Sequence, residues 1–505
     1  MINLTPLLRP AFAPRVRAAR SWEGHIREVQ TAQLRRLLYT ARRTAAGERH
    51  GFAGLRSYAD YAHTVPAVEY ADIRADVMRM VAGERDVLWP GRCRRFAQSS
   101  GTSDGKSKFI PVTDASLRLN HYLGARDVVA HYLSLYPDSR IFSGKAFILG
   151  GSFANELADV PAGVTVGDLS ANLIDAMNPA ANLLRVPSKR VALMADWSEK
   201  LPALIDAAVG QDITNISGVP SWFLTLLRRA MEREGVSSVH DIWPNLEVFF
   251  HGGISFEPYR EQYARITDPA RMRYLETYNA SEGFFAVQDL REPGSMLLLL
   301  DAGVFYEFVP LDEAGEQYPA AVPAWEVEQG RTYALLITAP NGLWRYAIGD
   351  TVRIESADPL RIRIAGRTRC FINAFGEELI VDNAETALRR ACEATGAIVV
   401  EYTVAPRYMT IDRRGAHEWI VEFERRPADT ERFAELLDEG LRTVNSDYDA
   451  KRRTTLERLA LHEAERGRFL RWMRARGKNK VPRMTGDRRA FEEILAFGAA
   501  DPQRK

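Results

Sequence analysis

Residues 98–108 read QSSGTSDGKSK. Ser99, Ser100, Thr102 and Ser103 supply hydroxyls, and Lys106 and Lys108 supply charge. Gly101 and Gly105 let the backbone come close to an anion. Successive N–H groups in such a turn form a concave anion site, so the chemistry on offer is phosphate binding. The loop is not a Walker A sequence, which needs four residues between its first glycine and Gly-Lys-Ser. Only Thr102, Ser103 and Asp104 separate Gly101 from Gly105. A flexible polar linker is the competing reading.

Three later stretches carry groups a nucleotide would use. In 278–285, YNASEGFF, Ser281 and Glu282 directly follow a predicted strand. Ligand sites in open α/β sheets lie beyond the carboxyl ends of strands, and a carboxylate with phosphate oxygens suits Mg²⁺. Ser-Glu also begins many helices. In 342–354, GLWRYAIGDTVRI, the spacing puts Asp350 in a turn between two strands. There it can accept hydrogen bonds from a ribose diol, or simply be a hairpin aspartate. In 364–379, IAGRTRCFINAFGEEL, Gly366-Arg367 and Gly376 bracket an apolar segment at an apparent domain boundary, where a linker hairpin is the alternative.

These groups need a scaffold. At 505 residues the chain is too long for one core. Apolar content of 46 % and charged content of 26 % are ordinary for a globular protein. A net charge of +1 gives no electrostatic reason to expect nucleic acid or an anionic membrane surface as partner. Cys93, Cys370 and Cys392 are isolated, which supports neither a disulfide framework nor a zinc site and fits a reducing cytoplasm. No apolar run is long enough to span a bilayer, and the N-terminus lacks the apolar core of a signal peptide.

Residues 20–45 have helical apolar spacing. Strands are expected at 95–98, 109–112, 146–149, 215–218, 246–250, 273–278, 304–309 and 333–338, with helices at 201–209 and 222–234 between them and Thr113 as an N-cap. Alternation of this kind predicts an α/β body with largely parallel sheets. From about 366 the pattern becomes a small α+β unit: a hairpin at 370–380, a helix from Asp382 with Glu385 at capping-box spacing ended by Gly396, strands at 398–403 and 419–424, and an amphipathic helix at 430–444.

A Ser/Thr/Gly loop, then Tyr-x-x-Ser-Glu, then Tyr-x-x-Gly-Asp, then Gly-Arg at a domain boundary is the order seen in adenylate-forming enzymes. Within them the chain resembles the GH3 family of acyl-acid amido synthetases. SSGTSDGKSK, YNASEG, FYEFVP (305–310), NSDYDAKR (445–452) and NKVPR (479–483) all look like family segments. The resemblance implies a large N-terminal adenylate-forming domain, 1–365, with β-sheets flanked by helices, and a small mobile α+β domain, 366–505. It implies ATP and Mg²⁺, with a carboxylic acid and an amino acid as partners.

Ser99, Ser100, Gly101, Thr102, Ser103, Gly105 and Lys108 would lie on the ATP phosphates, and Gly252 and Gly253 after His251 beside the adenine. Tyr278 would stack on that ring, Ser281 would touch phosphate and Glu282 would hold Mg²⁺. Asp350 would bind the ribose with Arg367 nearby. Arg369 occupies the hinge position, where the wider superfamily commonly has Asp. Asn373 stands where many acyl-CoA ligases have Lys, which disfavours a plain CoA ligase. Lys480 matches the mobile-domain lysine that meets the carboxylate and the α-phosphate. Acyl-pocket candidates are Leu123, Val219, Trp222, Phe223, Phe305 and Tyr306. The activity implied is formation of an acyl-adenylate and its transfer to an amine; a thiol acceptor, or a silent nucleotide-binding relative, are the alternatives.

Overall fold

The computed structural model describes residues 3–99, 108–155, 157, 159–254, 256–311, 321–367, 371–377, 379–410, 412–476, 481–486 and 488–497. Strands β1 (Arg95–Ser99) and β2 (Lys108–Pro111) bracket the serine-rich loop. Strands β3 (Lys145–Ile148), β4 (Thr165–Gly167), β5 (Arg185–Val186), β6 (Ile213–Gly218), β7 (Val248–His251) and β8 (Arg273–Ala280) alternate with helices. Then β9 (Gly283–Val287), β10 (Met296–Leu298), β11 (Phe305–Pro310), β12 (Val322–Pro323), β13 (Thr332–Ala339), β14 (Leu343–Ala357) and β15 (Leu360–Arg367) follow with no helix between them among the described residues. A hairpin, β16 (Phe371–Ile372) with β17 (Leu379–Ile380), leads to β18 (Ile398–Arg407), β19 (Ala416–Arg425) and β20 (Ala460–Ala464).

The main sheet runs β12-β11-β13-β14-β15-β10-β9-β8-β7-β6-β3-β5. Its β8-β7-β6-β3-β5 half is parallel, and the β9 side is antiparallel throughout. The largely parallel body expected from the alternation is therefore corrected to a mixed sheet. The physical reason is link length. Parallel neighbours need a crossover of a dozen or more residues, which the helices supply up to β8. The two residues Ser281 and Glu282 that join β8 to β9 can only make a hairpin.

Each half has the sequence its burial demands. β7 is Val-Phe-Phe-His with every residue buried, as a strand covered on both faces requires. The crossover helix Pro220–Glu234 starts with Pro in its first turn and stops at Gly235 with φ +66°, the left-handed stop that favours glycine. Its buried Phe223, Leu224, Leu227 and Ala230 repeat at helical spacing.

One core fills the antiparallel half and the N-terminal helices. A second runs without a break from Phe147, Phe223 and Phe249 into Phe375, Trp419 and Phe433 of the C-terminal unit. In that unit the helix Val381–Thr395 ends at Gly396 as expected. At its N-terminus Asn383 Oδ1 accepts from the Ile380 N–H at 3.3 Å, while the side chain of Asp382, expected to pair with Glu385 in a capping box, lies outside the described residues.

Candidate active site

β7 delivers His251-Gly252-Gly253 at its carboxyl end, next to β8. A Cβ on Gly252 would stand 2.4 Å from the Thr277 carbonyl oxygen, so only glycine lets the chain leave the sheet this close to its neighbour. Thr277 Oγ1 donates to the His251 carbonyl at 3.0 Å and locks the two strand ends together. The His251 ring stacks on Phe256 with centroids 4.2 Å apart. Burial, with Arg260 nearby, pushes its pKa down to about 3, so the ring is neutral.

The β8–β9 hairpin turns over Ser281 and Glu282 at the point where the sheet changes from parallel to antiparallel. Glu282 is buried although it occupies a turn. Two buried amides hold the main chain on either side. Asn341 Nδ2 donates to the Glu282 carbonyl at 3.0 Å. Asn120 donates to the Phe284 and Ala302 carbonyls, both at 2.9 Å, and accepts from the Phe284 N–H at 2.6 Å. Asn120 sits in a single π-turn, Leu117–His121, an irregularity that recurs at functional sites. A Cβ on Gly283 would be 2.7 Å from the Phe285 ring and 3.0 Å from Asn120 Oδ1. The sequence reading passed over both asparagines, since nothing in a lone Asn says which backbone it will clamp.

Asp350 lies within the long strand β14, opposite Arg367 of β15. The turn expected there is corrected to a register irregularity in a continuous strand, around Gly349 at φ +92°. Asp350 is buried and accepts from the Tyr278 hydroxyl at 2.6 Å. The contact crosses the sheet because β10 is only three residues long and pairs with β15 at Met296 and Leu297 alone. Upstream, Arg345 has the left-handed φ of +45°, strained for a residue with a side chain. It is held there by a buried ion pair with Glu307 at 3.0 Å and by the Ala62 and Val65 carbonyls, both at 2.8 Å.

β1 and β2 pair Ser99 with Lys108, so the two ends of the serine-rich loop leave the sheet side by side. Lys108 Nζ stands 6.0 Å from the Tyr346 ring, four residues before Asp350. Ser100, Gly101, Thr102, Ser103 and Gly105 lie outside the described residues, as do Arg369 and Lys480. Of the acyl-pocket candidates, Phe223 packs on Phe147 and Phe249, Phe305 on Tyr58 and Trp325, and Tyr306 on Phe285. All three are fully buried. Leu123 packs on the edge of the first core, Val219 lies against Gly253, and Trp222 lies under Lys451 of the C-terminal unit.

The arrangement fits a nucleotide and one hard cation. Backbone close to a strand-end turn and a buried Tyr–Asp pair stand at the β7–β8 ends, and Ser99 and Lys108 mark where the hydroxyl-rich segment leaves its sheet. Among the described residues no three His, Cys, Asp or Glu side chains cluster. A single carboxylate, Glu282, suits a cation that takes its other ligands from phosphate and water.

Models of the GH3 family N-terminal, central and C-terminal domains match residues 20–272, 297–367 and 382–489. Indole-3-acetic acid-amido synthetase GH3.8 of Oryza sativa subsp. indica is 25 % identical over 422 residues, 70 % of this chain and 69 % of that protein. Indole-3-acetic acid-amido synthetase GH3.3 of Arabidopsis thaliana is 22 % identical over 550 residues, covering 89 % and 86 %. Among solved structures, the AtGH3.15 acyl acid amido synthetase in complex with 2,4-DB superposes with a TM-score of 0.61 at 16 % identity over 96 % of this chain and 95 % of that one. A 2-hydroxyisobutyryl-CoA ligase superposes with a TM-score of 0.58 at 14 % identity over 93 % and 91 %. Three domain models matched in order along most of its length make this chain a member of the GH3 family.

Proposed function

We propose that the protein activates a carboxylic acid with ATP as an acyl-adenylate and passes the acyl group to an amine, an amino acid, to form an amide. The observation that carries this reading is the convergence of the Gly252 turn, the Tyr278–Asp350 pair and the Glu282 turn on the sheet's parallel–antiparallel junction. The named activities of the GH3 relatives agree with it.

A carboxylate is a poor electrophile because its oxygen is a poor leaving group. Attack of that oxygen on the α-phosphorus of ATP releases pyrophosphate and leaves AMP as the leaving group. Amine attack on the acyl carbon then expels AMP. The first step brings two anions together, so fixed donors must face the developing charge; losing one such donor costs about 3 kcal/mol. Ser99 to Ser103, Gly105 and Lys108 bind the phosphates, with Ser281 at their edge. Gly252 and Gly253 admit the adenine against the β7–β8 ends, beside Tyr278. Asp350 takes the ribose hydroxyls, with Arg367 alongside. Mg²⁺ held by Glu282 would neutralise phosphate charge.

Residues 366–505 form a lid on a hinge at Arg369. Its closure excludes water, which would hydrolyse the adenylate, and brings Lys480 to the carboxylate and α-phosphate. Asn373, rather than a lysine, at the CoA-ligase position supports an amine over a thiol acceptor. The test is pyrophosphate release across a panel of aryl and alkyl acids, each with and without amino acids, alongside CoA. Acid-dependent pyrophosphate release with amino-acid-dependent amide is the expected result. Thioester with CoA and no amide would overturn the choice of acceptor.

A further inference from the structure

β4 runs parallel to β1, with Ala97 opposite Gly167. The next residue, Asp168, therefore leaves the small sheet beside Gln98 and Ser99, where the serine-rich loop begins. The neighbouring chain is built around it. Ser152 N–H donates to Asp168 Oδ2 at 2.6 Å. A Cβ on Gly151 would fall 2.0 Å from the same oxygen, so the 150–152 segment closes over the carboxylate only because it lacks one. Asn172, one turn into the helix Leu169–Ala176, donates to the Phe96 carbonyl at 3.1 Å and ties this corner to β1.

Asp168 is reached by solvent yet has protein on most sides, which places it on the floor of a cleft. That confinement raises its carboxyl above the usual range, against the pull of the Ser152 N–H, Lys451 and Lys200. Lys200 is buried, donates to the Gly150 carbonyl at 2.7 Å and the Gly151 carbonyl at 3.0 Å, and is pushed down to about 8 by burial. Lys451 arrives from the other side. It stands on the helix Ser446–Thr454 of the C-terminal unit, within the NSDYDAKR segment, and its Nζ lies 4.0 Å from the Trp222 ring centroid. A Cβ on Gly376 would be 3.4 Å from that Nζ. An anionic group of the large unit and a cationic group of the C-terminal unit thus interact across the cleft at the β1 strand end.

We propose that this cleft is the acceptor subsite, in which the Asp168 carboxylate receives the ammonium of the incoming amino acid and takes one proton from it, while Lys451 pairs with the amino acid's carboxylate. The inference rests on the activation reading above and adds what that reading lacks. An amino acid arrives as an ammonium, which has no lone pair to attack with. Transfer of one proton to Asp168 frees the lone pair. The C–N bond forms at the acyl carbon, the acyl C–O bond breaks, AMP leaves with that electron pair, and the second N–H proton passes to solvent. A thiol has no ammonium and no use for Asp168 in this role.

The test separates the two half-reactions in the full-length protein. Asp168→Asn keeps an acceptor for Ser152 and removes the base. It is expected to retain acid-dependent ATP–pyrophosphate exchange, to lose about 100-fold in amide formation, and to keep forming hydroxamate with hydroxylamine, which is uncharged at neutral pH and needs no base. Lys451→Gln is expected to raise the KM for an amino acid about tenfold and to leave that for a plain alkylamine unchanged. Amide formation by Asp168→Asn at the wild-type rate would overturn the proposal. Parallel loss of exchange, hydroxamate and amide would also overturn it, by showing a structural role. If wild-type protein shows no exchange with any acid, the activation reading itself fails.

Discussion

At the residue scale the account turns on two carboxylates with different supports. Asp350 is engaged by the Tyr278 hydroxyl, so Tyr278→Phe leaves a buried carboxylate short of a donor. Such a loss costs about 1 to 2 kcal/mol, and the KM for ATP should rise about tenfold with kcat little changed. An unchanged KM would mean that Asp350 does not meet the nucleotide. Glu282 is held from outside, through its own carbonyl and the Phe284 N–H two residues on. Glu282→Ala and Lys480→Ala should each abolish most ATP–pyrophosphate exchange while thermal melting stays near wild type, and exchange at the wild-type level in either variant would remove that residue from the mechanism. These side chains were legible because each stood in a motif with its own spacing. Asn120 and Asn341 were not, because their partners lie 59 to 182 residues away, and Asp168 was not, because its place depends on a strand register.

At the scale of elements, many of the strands and the long helices Pro220–Glu234, Val381–Thr395 and Thr430–Val444 could be read from apolar period and capping signals, while most of the short helices could not. The amphipathic helix Thr430–Val444 appears at the expected bounds, with Phe433, Ala434, Leu437 and Leu441 buried on one face. What could not be read was direction. Whether a strand pairs parallel or antiparallel depends on the link before it, and here antiparallel β11 is as fully buried as parallel β7, so the usual contrast in pattern is absent. Asp350 was misplaced for a related reason: Gly349 breaks the apolar run like a turn, yet the strand continues through it. The element that sets up this strand is the Arg345–Glu307 pair. Burial raises the Glu307 carboxyl despite Arg345, so the pair holds a strained backbone at an electrostatic cost. Arg345→Ala would leave Glu307 buried and unpaired and should cost about 3 kcal/mol or more in urea unfolding. A loss below about 1 kcal/mol would show that the strand needs no such support.

At the scale of the whole molecule, the second core draws on both the crossover helices and the C-terminal unit, so in this arrangement the molecule packs the two against each other. Its stability should depend on acid. His121, His131 and His251 are buried and pushed down to about 4, about 4 and about 3 by burial. Their folded forms stay neutral where the unfolded chain, near pKa 6.5, takes up protons, so stability falls as pH drops below that value. Each contributes up to about 1.4 kcal/mol per pH unit below that value, or about 4 kcal/mol for the three between roughly pH 7 and pH 5.5. Urea midpoints at these two pH values check it, and equal midpoints would contradict it. The claim on which everything else depends is that the acid's own oxygen attacks the nucleotide. An acid substrate labelled with ¹⁸O in its carboxylate, turned over with ATP and an amino acid, tests this most directly. The account predicts one labelled oxygen in the phosphate of the AMP released; AMP free of label would contradict it.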